Sequence, residues 1–261
     1  MLKPRVIPCL LLSGRGLYKT VKFNNPKYVG DPVNAVKIFN EKEVDELLLL
    51  DITATTENRE PNYELIGDIA SECFMPLAYG GGIKSIEQIR KLHRVGIEKV
   101  CLNTAAYVDP KFVKESCEIF GSSSIVAAMD VKKNFFGRYE VCVSSGKTNT
   151  KQDPVAYAKH LEKLGVGEIF VNSIDKDGVM SGYDLVLLSN ITSSVETPVI
   201  GCGGAGSLEH VKQAIAETGV NAVAAGSMFV FHGKHKAVLI NYPSPSQLAE
   251  LELGNKNYDH G

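Results

Sequence analysis

The residues with the clearest chemical potential are one carboxylate and two sets of glycine-bearing loops. Asp130 ends an apolar run, Ile125 to Met129, within the stretch SIVAAMDVKK. A run of small and branched residues bounded by polar ones is the pattern of a strand buried on both faces. A carboxylate at the carboxyl end of a parallel strand sits where barrel enzymes open their substrate loops. An Asp there is also a common turn residue or helix cap, so the rest of the chain has to decide. Gly80-Gly81-Gly82 follows one strand-like run and Asn103-Thr104 the next, while Gly203-Gly204 and Gly226-Ser227 hold the same relative places later on. Glycine lets backbone N–H groups approach an anion, and a helix start just beyond adds favourable partial charge. One such loop is more often a tight turn. Two matched pairs point to a ligand carrying two phosphates.

The elements that must position these groups alternate along the chain. Strand-like runs fall near Arg5–Leu11, Glu46–Asp51, Pro76–Tyr79, Lys99–Asn103, Ile125–Asp130, Glu168–Asn172, Pro198–Cys202 and Ala222–Gly226. Helical patterns lie between them, at 31–40, 63–73, 85–95, 110–120, 154–164, 183–191 and 208–217. Ser85 and Ser207 are placed as N-caps, and Gly96, Gly165 and Gly219 as helix ends. Eight strands with their helices in 261 residues predict an α/β fold, a (β/α)8 TIM barrel forming one domain over 1–261. An open doubly wound sheet is the alternative, but no GxGxxG follows the first strand. The two halves repeat. VDELLLLDI matches VGEIFVNSI with Glu46 and Glu168 in step (168 − 46 = 122), and GGGIKSIEQI matches GGAGSLEHV with Ser85 and Ser207 in step (207 − 85 = 122). One shared offset predicts duplicated half-barrels. After a short helix near Ser227–Phe231 the sequence predicts an irregular finish from about 232, because Gly233, Pro243 and Pro245 interrupt it, and AVLINY reads more like a strand than a final helix. The polar tail ELGNKNYDHG reads as frayed.

A net charge of −2 gives no electrostatic footprint for nucleic acid or an anionic membrane. No apolar run reaches the roughly 18 residues of a spanning helix, and MLKPRVIPCLLL lacks the features of a signal peptide. The expectation is a cytoplasmic protein. Cys9, Cys73, Cys101, Cys117, Cys142 and Cys202 form no CxxC or Cys/His cluster, so they read as reduced and structural, and no metal is implied. His93, His160, His210, His232, His235 and His260 receive no role, and no cofactor is implied.

The order RVIPCL, GDPV, DELLLLDITA, GGGI, NTAA, the Asp130 strand, SGKTNT, EIFVNSIDKDG, SGYD and GGAG resembles the HisF family, the cyclase subunits of imidazole glycerol phosphate synthase. The resemblance runs nearly full length and thins after Phe231. It implies a barrel that takes ammonia from a HisH-type glutaminase and adds it to a bisphosphorylated aminocarboxamide ribonucleotide. The imidazole ring then closes, and the product splits into imidazole glycerol phosphate and a carboxamide ribotide. It also implies that Gly82, Asn103 and Thr104 hold one phosphate, and Gly204, Gly226 and Ser227 the other. Ser145, Asp177 and Gly178 would line the site between them, Lys19 would belong to a mobile first loop, and Asp130 would be one of two catalytic aspartates.

The second aspartate is absent. The family pattern ends the first strand in Cys-Leu-Asp, and this chain reads Cys9-Leu10-Leu11, followed by Ser13-Gly14-Arg15-Gly16. Proton transfer in the cyclisation needs two groups of opposite protonation state, and loss of a positioned base costs about 10²–10⁴ in rate. Asp51 or Asp177 could substitute chemically, though spacing puts neither at the vacant spot, and Leu11 is expected to pack the barrel mouth. Arg5, Glu46, Lys99 and Glu168 begin strands at the opposite end; such charges are usually solvated strand ends. The resemblance makes them a salt-bridged ammonia gate. PKYVGDPVNA, FNEKEVDEL and FVFHGKHKAVLINYP further resemble a branch from surface-polysaccharide loci, thought to supply ammonia for converting an acetamido sugar into an acetamidino sugar. The expected partners are a glutaminase, docked against the face bearing Arg5 and Glu98, and a bisphosphorylated small molecule or phosphate ligands. A catalytically silent scaffold that docks the glutaminase and conducts ammonia is the competing reading.

Overall fold

The protein is described by a computed structural model covering residues 4–233 and 235–253; the rest of the tail, His260 included, lies outside the described residues. Eight parallel strands close into a barrel: Arg5–Ser13, Leu47–Asp51, Leu77–Gly80, Lys99–Leu102, Ile125–Lys133, Glu168–Ser173, Val199–Cys202 and Ala222–Ala225. Each pairs with the next, and the circle closes where Arg5 registers with Ala222. The fifth and sixth strands run side by side with Asp130 opposite Asn172.

Alternation along each strand divides the core in two. On the first strand Val6, Leu10 and Leu12 face the helices, while Ile7, Cys9 and Leu11 face the barrel axis. The axial cluster is narrow in chemistry. It contains Ala78, Ala128, Ala222 and Ala224 with a few larger groups such as Phe170 and Ile200, and no charge. Helices between the strands start where the sequence offers caps. Ser85 Oγ accepts from the Gln88 N–H and Ser207 Oγ from the His210 N–H, both at 3.3 Å. Each such cap contributes about 1 kcal/mol.

Three departures from the sequence reading have physical causes. The first is at Asp130, which does not end its strand. The chain continues to Lys133 and turns back antiparallel through Tyr139–Val143, with Asp130 opposite Cys142. The second is an antiparallel hairpin of Gly16–Val21 and Asn24–Gly30, which occupies the first loop and which short, irregular alternation had hidden. The third is at the expected irregular finish, where a small hairpin pairs Phe231–His232 with Ala237–Val238 and a helix runs Pro245–Leu253. Pro245 opens that helix at the one position where a missing N–H costs nothing. Ser244 and Gln247 cap it reciprocally: the Gln247 N–H donates to Ser244 Oγ at 3.4 Å, and the Ser244 N–H to Gln247 Oε1 at 2.9 Å. The segment is anchored by Tyr242 Oη, which donates to the Val6 carbonyl at 2.7 Å, and by buried Leu248.

The first-loop hairpin is held on the sixth loop. The Lys22 N–H donates to the Asp177 carbonyl and Thr20 Oγ1 to Asp177 Oδ2, each at 2.9 Å. Gly178 makes that approach possible: its φ is +67°, and a Cβ there would lie 2.1 Å from the Thr20 carbonyl oxygen. Gly178→Ala is therefore expected to lower stability by about 1–3 kcal/mol and to speed hydrogen exchange at the Lys22 amide. Unchanged exchange at Lys22 would contradict the docking.

Candidate functional site

The loops at the carboxyl ends of the strands enclose a cavity of about 610 Å³. Asp130, Gly82, Asn103, Thr104, Gly204, Gly226, Ser227, Lys19, Asp51, Ser145, Asp177 and Gly178 all line it. The structure thus brings together, in one place, residues scattered over most of the sequence; what each does there depends on its partners.

Asp130 is 8% exposed and carries no salt bridge among the described residues. Its carboxylate is held by two amides: Asn103 Nδ2 donates to Oδ2 at 2.9 Å and Asn172 Nδ2 to Oδ1 at 3.2 Å. Burial pushes its pKa up to about 7, against the lowering effect of those two bonds and with a further push from Asp177. A carboxyl poised there can both donate and accept a proton near neutrality.

The other two carboxylates are committed to architecture. Asp51 Oδ1 accepts from the Thr53 and Ala54 N–H groups at 3.0 and 2.9 Å and faces the Arg59 guanidinium at 3.4 Å. It organises the second loop. Asp177 holds the first-loop hairpin as described, which also brings Lys19 over the cavity. The Lys19 amine lies against Gly226, where a Cβ would come within 2.2 Å of Nζ. Ser145 Oγ donates to the Ile52 carbonyl at 2.9 Å, and Thr104 Oγ1 accepts from the Ser144 N–H at 2.9 Å. These two bonds tie the returning strand of the fifth-loop hairpin to loops two and four.

The duplicated halves match in backbone geometry. Gly81 and Gly82 have φ of +119° and +72°, and Gly203 and Gly204, each 122 residues later (203 − 81, 204 − 82), have +91° and +111°. A Cβ at Gly204 would stand 2.1 Å from the Gly182 carbonyl, so the loop after the seventh strand admits no other residue there without moving.

Leu11 lines the same cavity on the first strand, four strands round the barrel from Asp130 in either direction. It is 8% exposed and packs in the axial cluster, with Leu50 and Ile52 against that cluster. No proton acceptor occupies its position.

At the other end of the axis, Arg5, Glu46, Lys99 and Glu168 meet in a closed ring. Arg5 pairs with both glutamates, and Lys99 Nζ lies 3.1 Å from Glu46 and 2.9 Å from Glu168. Burial opposes the Arg5 charge, but Glu168 and Glu46 more than offset this and raise its pKa. Glu98, by contrast, is exposed on that face. All six cysteines are free thiols, and Cys9, Cys101 and Cys202 line the cavity.

Sequence reasoning passed over Asn172 and Arg59. The signal for Asn172 was available. A lone amide interrupts the apolar sixth strand two residues after inward-facing Phe170, so it must face the axis too.

Residues 5–236 match the family described as histidine biosynthesis protein. A Pseudomonas aeruginosa protein provisionally named imidazole glycerol phosphate synthase subunit hisF2 is 56% identical over 95% of this chain and 99% of its own length. The chain belongs to the HisF family. A Vibrio vulnificus relative, provisionally hisF3 of the same synthase, is 50% identical over 97% of this chain and 98% of its own. A Leptospira borgpetersenii relative, provisionally the HisF subunit, is 49% identical over 94% and 96%. Among the described residues no helix is long and apolar enough to cross a membrane.

Two outcomes follow for this HisF-family site. The fold disfavours the charged form of Asp130, so its penalty is absent near pH 4, grows up to pH 7 and stays full above. Asp130→Asn should therefore melt higher than the parent at pH 8.5, by about 1–2 kcal/mol, with the gain fading by pH 5; a pH-independent difference would contradict the assignment. Arg5→Ala leaves two buried carboxylates sharing Lys99. In urea unfolding at pH 7 it should cost about 2–3 kcal/mol, below the ~3–5 of a fully buried pair; an unchanged unfolding midpoint would contradict the ring.

Proposed function

We propose that this chain is the ammonia-using synthase subunit of a glutamine amidotransferase, paired with a HisH-type glutaminase docked at the barrel floor around Arg5 and Glu98. The names of its relatives place them as subunits of imidazole glycerol phosphate synthase, which supports a partnered role. Ammonia released by the partner would enter through the Arg5–Glu46–Lys99–Glu168 ring and travel along the apolar axis. A channel that excludes bulk water keeps it from becoming unreactive ammonium. The glycine loops around Gly82, Asn103 and Thr104, and around Gly204, Gly226 and Ser227, would seat the two phosphates of a ligand. Lys19 would close over it.

The observation that carries the reading is Leu11 facing a lone buried acid, Asp130, across a mouth whose other carboxylates are engaged. Ring closure of the bisphosphorylated ribonucleotide needs an acid and a base on opposite sides of the substrate. Here one side is hydrocarbon. The family's own reaction, forming imidazole glycerol phosphate and the carboxamide ribotide, is therefore slow in this chain. Its ammonia instead serves amidination of an acetamido sugar during surface-polysaccharide (O-antigen) synthesis. Such a subunit would work in the cytoplasm.

Turnover of the ribonucleotide with ammonium salt tests this directly. The parent is expected at the floor of detection while still stimulating its glutaminase, and Leu11→Asp should raise the rate by about a hundredfold or more, the lower end of what a positioned base supplies. Robust turnover by the parent would assign it to histidine synthesis and overturn the reading. No glutaminase stimulation would overturn the partnership.

A further inference from the structure

Exposed apolar side chains gather at one end of this barrel. Val21 and Tyr28 stand on the first-loop hairpin, Val108 after the fourth strand, Phe135 and Phe136 after the fifth, and Val179 after the sixth. All six belong to connections at the carboxyl ends of strands, and Val108 also lines the cavity. The connections are neighbours: the fourth, fifth and sixth strands are adjacent, and the first-loop hairpin is held on the sixth loop. Single exposed apolar residues are ordinary, but several in neighbouring loops mark a face that another molecule covers.

The most prominent part is the fifth-loop hairpin. Phe135 is 98% exposed and Phe136 84%, and their rings meet edge to face with centroids 5.6 Å apart. They form the tip of the turn between the fifth strand and Tyr139–Val143, and the turn does not need them. Asn134 Oδ1 accepts from the Phe136 and Arg138 N–H groups at 2.9 and 3.0 Å, and the Asn134 N–H donates to the Arg138 carbonyl at 2.8 Å. Gly137 supplies the left-handed residue at φ +77°. Small polar residues are favoured at such tips. The aromatic pair is thus a preformed projection, and binding through it orders no loose chain.

Charge narrows the occupant. Between Val131 and Asp153 the chain carries Lys132, Lys133, Arg138, Lys147 and Lys151 against Glu140 and Asp153. Both carboxylates are engaged: the Asn134 and Asn149 amides donate to Glu140, and Asp153 accepts from the Ala156 N–H at 2.9 Å as a helix cap. Asp175 of the sixth loop accepts from the Lys133 N–H at 2.8 Å. Among the described residues none of the five cations stands in a salt bridge. The tip is apolar with positive charge around it, and its complement is an apolar recess bordered by carboxylates. It lies at the opposite end of the barrel from the Arg5–Glu46–Lys99–Glu168 ring, so a glutaminase docked at the floor leaves it free.

We propose that the Phe135–Phe136 tip and its flanking cations dock the enzyme that consumes the ammonia, the amidating enzyme of the acetamido sugar. The identity of this partner rests on the proposed function. Seated over the mouth, it receives nitrogen from the cavity without a passage through bulk water. An anionic bilayer would also attract lysines and phenylalanines, but it offers the departing nitrogen no acceptor molecule.

The chain with its glutaminase bound is titrated against the purified amidating enzyme by biolayer interferometry. The parent should bind. Phe135→Ser combined with Phe136→Ser should weaken binding by about thirtyfold or more, as expected for aromatic anchors at the centre of an interface, while glutaminase stimulation is retained. Lys132→Glu combined with Arg138→Glu should slow association about tenfold at low salt and have little effect at high salt. Undiminished binding by the phenylalanine variant, or no binding by the parent, would overturn the docking surface. Phenylalanine-dependent binding to phosphatidylglycerol vesicles in place of the enzyme would overturn it in favour of a membrane, and phenylalanine-dependent self-association in favour of a second copy. The ribonucleotide and glutaminase assays judge the proposed function separately; with both as expected, these contrary results remove only this surface.

Discussion

The apolar interior of the barrel is the constraint on which the rest depends. Thirteen axial residues, from Ile7 to Ala224, contain no charged or hydrogen-bonding group stronger than a thiol. Charges at either end of this column cannot lean on water from within, so each must be satisfied locally. At the floor that condition gives a closed ring of two cations and two carboxylates. At the mouth it gives an aspartate held by two amides, with a pKa near neutrality instead of a salt bridge. The same apolar column separates the ion-pair ring at the floor from the glycine loops and cavity at the mouth, and so gives the barrel a direction.

The mouth shows how one substitution redistributes roles without disturbing the scaffold. Leu11 is buried within the axial cluster, with Leu50 and Ile52 packed against it. What it removes is a second titrating group. The remaining carboxylates are not spare: Asp51 and Asp177 are hydrogen-bonded into the second loop and the first-loop hairpin respectively. Glycine pairs at positive φ, a conformation that would strain other residues, stand at corresponding places in both halves. Under the proposed function the cavity would keep the means to hold a ligand with two phosphates while offering one titrating group where the reaction asks for two.

Much of this was legible in the sequence, and for identifiable reasons. All eight barrel strands announced themselves because strands buried on both faces need unbroken apolar runs, and Ser85 and Ser207 announced their helices because capping is local chemistry. The 122-residue offset exposed the paired glycine loops. The two loop hairpins stayed hidden. NNPKYVG is largely exposed and carries no period-two pattern, and its position is set by the distant Asp177 and Gly178. Asn172 could be read as facing the axis, but its bond to Asp130, and that of Asn103, follow from the pairing of the fourth and sixth strands with the fifth and not from proximity in the chain. The C-terminal helix could have been read from the Ser244–Gln247 capping pair had the prolines not drawn attention first.

The central claim is that nitrogen passes along the axis. Filling the column tests it most directly: Ala224→Leu places extra bulk at a fully buried axial position. With the glutaminase, the amidating enzyme and its acetamido sugar, and amide-labelled glutamine present alongside excess unlabelled ammonium, the measurement is the labelled fraction of product nitrogen. The account predicts that the parent draws its nitrogen mainly from glutamine and that the filled variant falls to the ammonium background while still using free ammonium. Continued use of glutamine nitrogen by a folded, filled barrel would contradict it.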